Sequence, residues 1–255
     1  MSMNERQLKI LQIISDEQKI EVGRLAEMID VSQVTVRKDL AAMEAHGLIK
    51  RQYGYALLNA QYNTQNRLFV HYSEKLDIAR RAVELVEDGD NVMLESGSCC
   101  ALLAEEIVRQ RKNVTIITHS VFIANHIRPA ANNQVILLGG SMLMEHMVTV
   151  GPLTSEAISR FYVNFFFTGT DGITPHGDFT ADRLETANVM REMKSRARKT
   201  VVLTDSSKFS RQGMVSLFPV KDVYAVYTDS KCPQSVIDMF NENGVLVNTG
   251  SKEEE

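Results

Sequence analysis

Val31-Ser32-Gln33-Val34-Thr35-Val36-Arg37-Lys38-Asp39-Leu40-Ala41-Ala42-Met43-Glu44-Ala45-His46-Gly47-Leu48-Ile49-Lys50-Arg51-Gln52-Tyr53-Gly54-Tyr55-Ala56 reads as one helix followed by a short β-hairpin. Ser32 is a suitable N-cap, because its hydroxyl can accept from an amide of the first turn. Val36, Leu40 and Met43 recur at helical spacing and should face a core. Thr35, Arg37, Lys38, Ala41, Ala42 and Ala45 fall around the remaining face, which mixes hydrogen-bond donors with small side chains. A face of that kind can come close to the floor of a DNA major groove. Gly47 is a natural stop. Leu48-Ile49-Lys50-Arg51 and Tyr55-Ala56-Leu57-Leu58, with a turn near Gly54, predict the two strands of a wing. The plain alternative is an amphipathic helix with a solvated polar side.

The residues upstream weigh against that alternative. Residues 6–15 place Leu8, Leu11 and Ile14 on one side of a helix, and Val22, Leu25, Ala26 and Ile29 follow at i, i+3, i+4 and i+7. Asp30-Val31 leaves only a tight turn before Ser32. Two short helices joined by such a turn, the second capped and basic, are the signature of a helix-turn-helix. The candidate DNA-contacting residues are Ser32, Gln33, Thr35, Arg37, Lys38, Lys50, Arg51 and Tyr53.

Arg6, Ile10-Leu11, Leu25-Ala26, the run from Val31-Ser32 through Thr35-Val36-Arg37-Lys38-Asp39-Leu40, and Gly47-Leu48-Ile49-Lys50-Arg51 resemble the N-terminal domain of the DeoR family of bacterial transcriptional regulators. The family usually carries His-Gly-Gly-Ala after the wing arginine; this chain has Tyr53-Gly54-Tyr55-Ala56.

Length and charge agree with a two-part chain. A sequence of 255 residues suits one small and one medium domain. The expected division is residues 1–60 as a winged helix-turn-helix, 61–72 as a linker whose 61–67 portion is polar and aperiodic, and 73–250 as an effector-sensing and oligomerising domain. Residues 253–255 read as a disordered end. The net charge of −4 argues against a protein that coats nucleic acid nonspecifically. Within the first 60 residues the charges balance, and Arg37, Lys38, Lys50 and Arg51 cluster where groove and wing contacts would fall. No run has the length of a membrane helix, and no apolar leader opens the chain, so cytoplasm is the expected location. Three cysteines, two of them Cys99-Cys100, make no disulfide framework, and no Cys/His spacing suggests a metal or other cofactor.

A helix is predicted from Ser73, with Leu76, Ala79, Val83 and Val86 on one face. It ends at Asp88-Gly89, and the sequence leaves open what it packs against. Beyond Asn91, apolar runs at 92–94, 114–118, 135–138, 163–167, 200–203, 223–227 and 245–247 alternate with helical stretches at 99–109, 121–127, 154–160, 185–197 and 233–243. That alternation predicts an α/β domain with a mainly parallel sheet covered on both faces. Ligands of such sheets bind beyond the carboxyl ends of the strands. Four loops stand there. Ser96-Gly97-Ser98-Cys99 opens a helix and could cradle an anion such as phosphate, or be a bare turn. Gly139-Gly140 could let backbone approach the same ligand, or be a flexible turn. Asp171 could accept from sugar hydroxyls, or bond its own turn. Lys208 is a candidate cation for the ligand. Arg191, Lys194, Arg196, Arg198 and Lys199 read as solvated charge near a helix end.

The order of Lys75-x-x-Ile78-Ala79, Asp88-Gly89-Asp90, Ser96-Gly97-Ser98, Thr118-x-Ser120, Leu138-Gly139-Gly140, Gly151, Gly169-x-Asp171-Gly172-Ile173 and Asp205-Ser206-Ser207-Lys208 resembles the DeoR-family sensor domain. That resemblance implies a fold like the ribose-5-phosphate isomerases and a phosphorylated sugar or related metabolite as effector. Ser98 and Cys99 replace the family's threonines, and His119 stands where the family often has Asn. Cys99 is a poor hydrogen-bond donor.

The reading is a regulator of carbohydrate-metabolism genes, a repressor whose affinity for double-stranded operator DNA changes on binding a sugar phosphate. It should assemble as a homodimer or higher even-numbered oligomer through the second domain. The competing reading is a sugar-phosphate isomerase using Asp171, Glu185 and Lys208.

Overall fold

The computed structural model describes residues 4–17, 19–45, 47–59, 64–128 and 132–250; the tail at 253–255 and the linker positions 61–63 lie outside them. The chain divides into two compact units, up to Tyr72 and from Ser73 onward.

The first unit runs α1 (Glu5–Glu17), β1 (Lys19–Glu21), α2 (Val22–Met28), α3 (Gln33–Ala45), β2 (Ile49–Gln52), β3 (Tyr55–Leu58) and α4 (Thr64–Phe69). Ile10, Leu11 and Ile14 of α1, Leu25 and Ala26 of α2, and Val36, Leu40 and Met43 of α3 form one buried cluster with Ile49 and Ala56 of the hairpin. The helical spacing of those side chains therefore sets the three-helix core. Leu8 is only half-buried, and Gln7 takes a place on the buried side of α1. Gln7 and Arg6 both donate to the buried Asp39 carboxylate: Arg6 Nε at 2.7 Å and Gln7 Nε2 at 3.3 Å. Asp39 is thus a clamp between α1 and α3, not part of the outer face.

Two features depart from the sequence reading. The wing is a three-stranded antiparallel sheet in the order β1-β3-β2. The three-residue β1 carries too little pattern to be seen. Part of the aperiodic linker, moreover, is the helix α4.

The second unit continues with α5 (Tyr72–Ala82), β4 (Asn91–Leu94), α6 (Ser98–Gln110), β5 (Thr115–Thr118), α7 (Val121–His126), β6 (Gln134–Leu137), β7 (Ser141–Leu143), β8 (Val148–Val150), α8 (Pro152–Ser159), β9 (Val163–Thr168), β10 (Gly172–Ile173), β11 (Asp178–Ala181), α9 (Leu184–Ser195), β12 (Ala197–Leu203), β13 (Val215–Pro219), β14 (Ala225–Tyr227), α10 (Gln234–Glu242) and β15 (Leu246–Asn248). Seven strands form one sheet in the order β15-β14-β12-β9-β4-β5-β6, and every pairing in it is parallel. These are the seven apolar runs of the sequence. Successive side chains of a strand face opposite sides, and here both sides are covered. Met93, Ile117, Phe166, Val202 and Val226 pack with Met190, Met193 and Phe240 in one cluster, while Val92, Leu94, Ile116, Val201 and Leu203 are buried on the alternate register.

The antiparallel parts, the hairpin β7-β8 and the small sheet β10-β11-β13, have no counterpart in the sequence reading. Their strands of two to five residues are shorter than a periodic signal requires.

Candidate functional site

On α3, the Ser32 hydroxyl accepts from the Thr35 amide at 3.2 Å and shares a 2.9 Å hydrogen bond with the Thr35 hydroxyl. The expected cap is present. Gln33, Arg37, Lys38 and Ala41 are exposed, and so is Val34, at 76 %. Val34 escaped the sequence reading. An apolar residue displaced from the core stripe was its only signal, and such a side chain suits contact with a thymine methyl.

The wing residues separate. Lys50 is exposed on β2. Arg51 is not simply presented outward: its backbone amide and its Nε each donate to the Glu44 carboxylate at 2.7 Å. Those bonds, the backbone one first, hold the Glu44 carboxyl below its ordinary range. Tyr53 forms the tip with Gly54. Both have positive φ, 51° and 83°, as a two-residue turn between Gln52 and Tyr55 requires. The Tyr53 ring is 92 % exposed.

In the second unit the carboxyl ends of the parallel strands face one edge, and α5 is anchored there. Arg81 Nη2 donates to the Thr228 carbonyl at 2.8 Å, just beyond β14, and Nη1 to the Asn248 carbonyl at 3.0 Å, at the end of β15. Glu74 pairs with Lys231 at 3.1 Å. The buried stripe of α5 is Lys75, Ile78, Ala79 and Ala82. Of the predicted stripe, Ala79, Val83 and Val86 are buried as expected, while Leu76 is only half-buried and Lys75 takes the buried place beside it. Lys75 is 7 % exposed. A lysine at an i, i+3, i+4, i+7 position of an apolar stripe was the available sequence signal.

Lys75, Asp205, Asp229 and Lys208 all act electrostatically on the Cys99 thiol. The loops after β12 and β14 are joined to each other by Ser206 and Asp229 and to α5 by Lys231 and Glu74, within electrostatic reach of Cys99. Burial pushes that thiol up to about 12, and the same cause raises Cys100 well above its ordinary value. Asp229 accepts from the amides of Ser206 at 2.7 Å and Lys231 at 2.9 Å. Asp205 accepts from the Ser207 amide at 3.3 Å.

The Ser96-Gly97-Ser98 loop holds a residue that the sequence reading passed over. Glu95, 8 % exposed, accepts from the Ser96 hydroxyl at 2.7 Å, the Gly97 amide at 2.7 Å and the Gly169 amide at 3.3 Å. The donors expected to cradle a phosphate are in part committed to a carboxylate of the chain itself. What remains for an anion is the first turn of α6 at Ser98 and Cys99, with Lys75 and Lys208 nearby.

One expected member of the site, the glycine pair, is placed differently. Gly139-Gly140 follows β6, four strand steps from the β12 that carries Lys208, or about 19 Å at the usual spacing. One small ligand does not span that distance. A Cβ on Gly140, at φ 148°, would lie 2.0 Å from Thr154 Oγ1 and 2.8 Å from the Val150 carbonyl, so packing already accounts for this glycine. Asp171 follows β9, between β12 and β4, and accepts from the Asp182 amide at 3.0 Å. Glu185, named for an isomerase, is exposed on the first turn of α9. The basic cluster is also more engaged than expected: Arg191 Nε donates to the Leu217 carbonyl at 3.2 Å, and Lys199 lies over the Tyr224 ring at 3.9 Å.

A capped basic helix with a wing, in one chain with a parallel α/β unit whose charged groups gather at the carboxyl edge, defines a DNA-reading regulator that carries its own ligand-sensing domain. Family models agree: the DeoR-like helix-turn-helix domain matches residues 6–62 and the DeoR C terminal sensor domain matches residues 70–230. The chain belongs to the DeoR family, and is a transcriptional regulator, not an enzyme. It is 27 % identical to the glycerol-3-phosphate regulon repressor of Escherichia coli strain K12, over 96 % of this chain and 98 % of that one. It is 28 % identical to the transcriptional repressor GlcR of Bacillus subtilis, over 96 % and 95 %, and 27 % identical to the L-fucose operon activator of Haemophilus influenzae, over 96 % and 99 %. Among solved structures, ribose 5-phosphate isomerase A of Methanocaldococcus jannaschii aligns with TM-score 0.37 at 22 % identity, over 55 % of each chain. The sorbitol operon regulator SorC of Klebsiella pneumoniae aligns with TM-score 0.41 at 11 % identity, over 94 % of this chain and all of that one.

Proposed function

We propose that the protein represses a carbohydrate-metabolism operon and that a phosphorylated sugar, bound at the carboxyl edge of the parallel sheet, changes its affinity for the operator. The observation that carries this is the junction of the loops after β12 and β14 with α5, through the Ser206–Asp229 hydrogen bond and the Glu74–Lys231 pair; Lys75, Lys208, Asp205 and Asp229 act from there on Cys99 at the start of α6. Two cations and helix amides suit a phosphate, and carboxylates suit hydroxyls. Ser98 and Cys99 contribute amides, while Ser96 and Gly97 act through Glu95. On the DNA side, α3 enters the major groove with Ser32, Gln33, Val34, Thr35, Arg37 and Lys38, and the wing brings Lys50 and Tyr53 to the backbone; Arg51 supports the wing through Glu44.

The protein works as a homodimer or higher even-numbered oligomer joined through the second unit, because a single winged helix makes a small interface and paired half-sites are the usual remedy. Among the described residues no helix is long and apolar enough to cross a membrane, and we place the protein in the cytoplasm, with its operator.

The test is a titration of operator binding against a panel of sugar phosphates, with wild type, Lys75→Met and Lys208→Ala. One panel member should shift the operator midpoint of wild type, and each variant should need about tenfold to a hundredfold more of it. An effector that acts equally on all three proteins places the phosphate elsewhere.

A further inference from the structure

We infer that His119 is a specificity-determining residue of the sensor: its Nε2 accepts a hydrogen bond from a hydroxyl of the bound sugar. This rests on the sensor reading above and adds to it an orientation for the ligand and a residue that selects it.

His119 directly follows β5 and is fully buried. Leu94 of β4 is in register with Thr118 of β5, so Glu95 and His119 are the next neighbours along the carboxyl edge. Their strands are one spacing apart, about 4.8 Å. The Glu95 charge is felt by the imidazole.

The ring is held in one orientation and one tautomer. Nδ1 lies 2.9 Å from the Thr149 carbonyl. A carbonyl only accepts, so Nδ1 carries the proton. The backbone around the ring is fixed by the same residue of β8: the His119 carbonyl accepts from the Thr149 amide at 2.9 Å and from its hydroxyl at 3.2 Å. That hydroxyl also donates to the Leu138 carbonyl at 2.7 Å. Burial, opposed by the Glu95 charge and the Thr149 carbonyl, holds the imidazole neutral by lowering its pKa. A neutral ring protonated at Nδ1 has a bare acceptor at Nε2. That atom is buried and has no hydrogen-bond partner among the described residues. Buried polar atoms are nearly always satisfied, and an exception held this firmly, at the ligand edge of an α/β sheet, points to a donor on the ligand.

Charge then orients the ligand. A bare imidazole nitrogen and the Glu95 carboxylate both accept, and neither suits a phosphate oxygen. The phosphate belongs on the Lys75 and Lys208 side and the hydroxyls on the Glu95 and His119 side. The strand order β12-β9-β4-β5 separates the Lys208 loop from Glu95 by two steps and from His119 by three, about 10–14 Å. Long lysine side chains and an extended sugar phosphate bridge such a span.

His119→Asn isolates the claim. An asparagine amide occupies the place of Nδ1 and keeps a donor for the Thr149 carbonyl, but puts no atom where Nε2 stands. Calorimetry on the full chain uses ribose 5-phosphate, glucose 6-phosphate, fructose 6-phosphate and glycerol 3-phosphate, their single-deoxy analogues, and inorganic phosphate. The sugar phosphate that wild type binds best should lose about tenfold or more in His119→Asn. Inorganic phosphate, and the one deoxy analogue that lacks the recognised hydroxyl, should bind both proteins alike. Equal affinity of the two proteins for the preferred sugar phosphate, with binding lost in Lys75→Met, overturns the role of His119 and leaves the sensor reading standing. A wild type that binds none of the sugar phosphates overturns both. Nitrogen-15 shifts of the His119 ring give a readout that needs no ligand: a neutral ring protonated at Nε2 would refute the inference on its own.

Discussion

Replacing Gly140 by alanine tests whether this glycine serves packing or a ligand. The backbone there has φ 148°, and an added Cβ would stand 2.0 Å from Thr154 Oγ1 and 2.8 Å from the Val150 carbonyl. Thr154 is fully buried and its hydroxyl donates to the Gly139 carbonyl at 2.8 Å. Three costs follow. A non-glycine residue in that backbone region costs about 1–2 kcal/mol, overpacking against β8 and α8 about 1–2 kcal/mol, and loss of the buried Thr154 hydrogen bond about 1–2 kcal/mol. The total of about 3–6 kcal/mol is a large share of an ordinary domain's stability. For a domain of this size it should lower Tm by about 6–24 °C. Gly139→Ala is the control, because its added Cβ meets nothing within 4 Å and its φ is not in the glycine region. Thermal unfolding of both variants, followed by circular dichroism, makes the comparison. A Gly140→Ala protein that melts within 2 °C of wild type would show that the β6–β8 corner yields easily, and the packing account of this glycine would fail.

Further expectations are as direct. Arg37→Ala and Lys38→Ala should weaken operator binding while leaving the fold intact; a base-contacting side chain should cost about 1–3 kcal/mol and relax specificity, whereas a phosphate contact should flatten the salt dependence. Unchanged affinity in both would remove α3 from the groove. His119 titrates below its ordinary 6.5 when folded, so between that lower value and about pH 6.5 the unfolded chain binds the extra proton and stability falls as pH falls. Denaturant midpoints at pH 7.5 and 5.5 should differ more in wild type than in His119→Asn, and equal differences would refute this. Cys99, Cys100 and Cys232 are buried with raised pKa values, so a thiol reagent at pH 8 should label them slowly in the native protein and fully on unfolding; rapid native labelling would reopen a redox role for the vicinal pair.

What the sequence determined by itself was everything carried by a repeating local pattern. Val36, Leu40 and Met43 at helical spacing, the Ser32 cap and the tight turn at Asp30-Val31 define the helix-turn-helix. The seven apolar runs define the parallel sheet, because a strand buried on both faces needs a continuous apolar run whatever its neighbours are. Tertiary structure decided what depends on neighbours. Strand order separates Gly139-Gly140 from the loop of Lys208, and no local pattern encodes strand order. The docking of α5 turns Lys75 from a helical lysine into a buried cation at the sheet edge. His119 stood out in the sequence only as a departure from the family pattern, and Glu95 not at all; their roles became legible only once β4 and β5 were in register, because a single buried polar residue has no periodicity and its meaning comes from the groups that chain folding brings beside it.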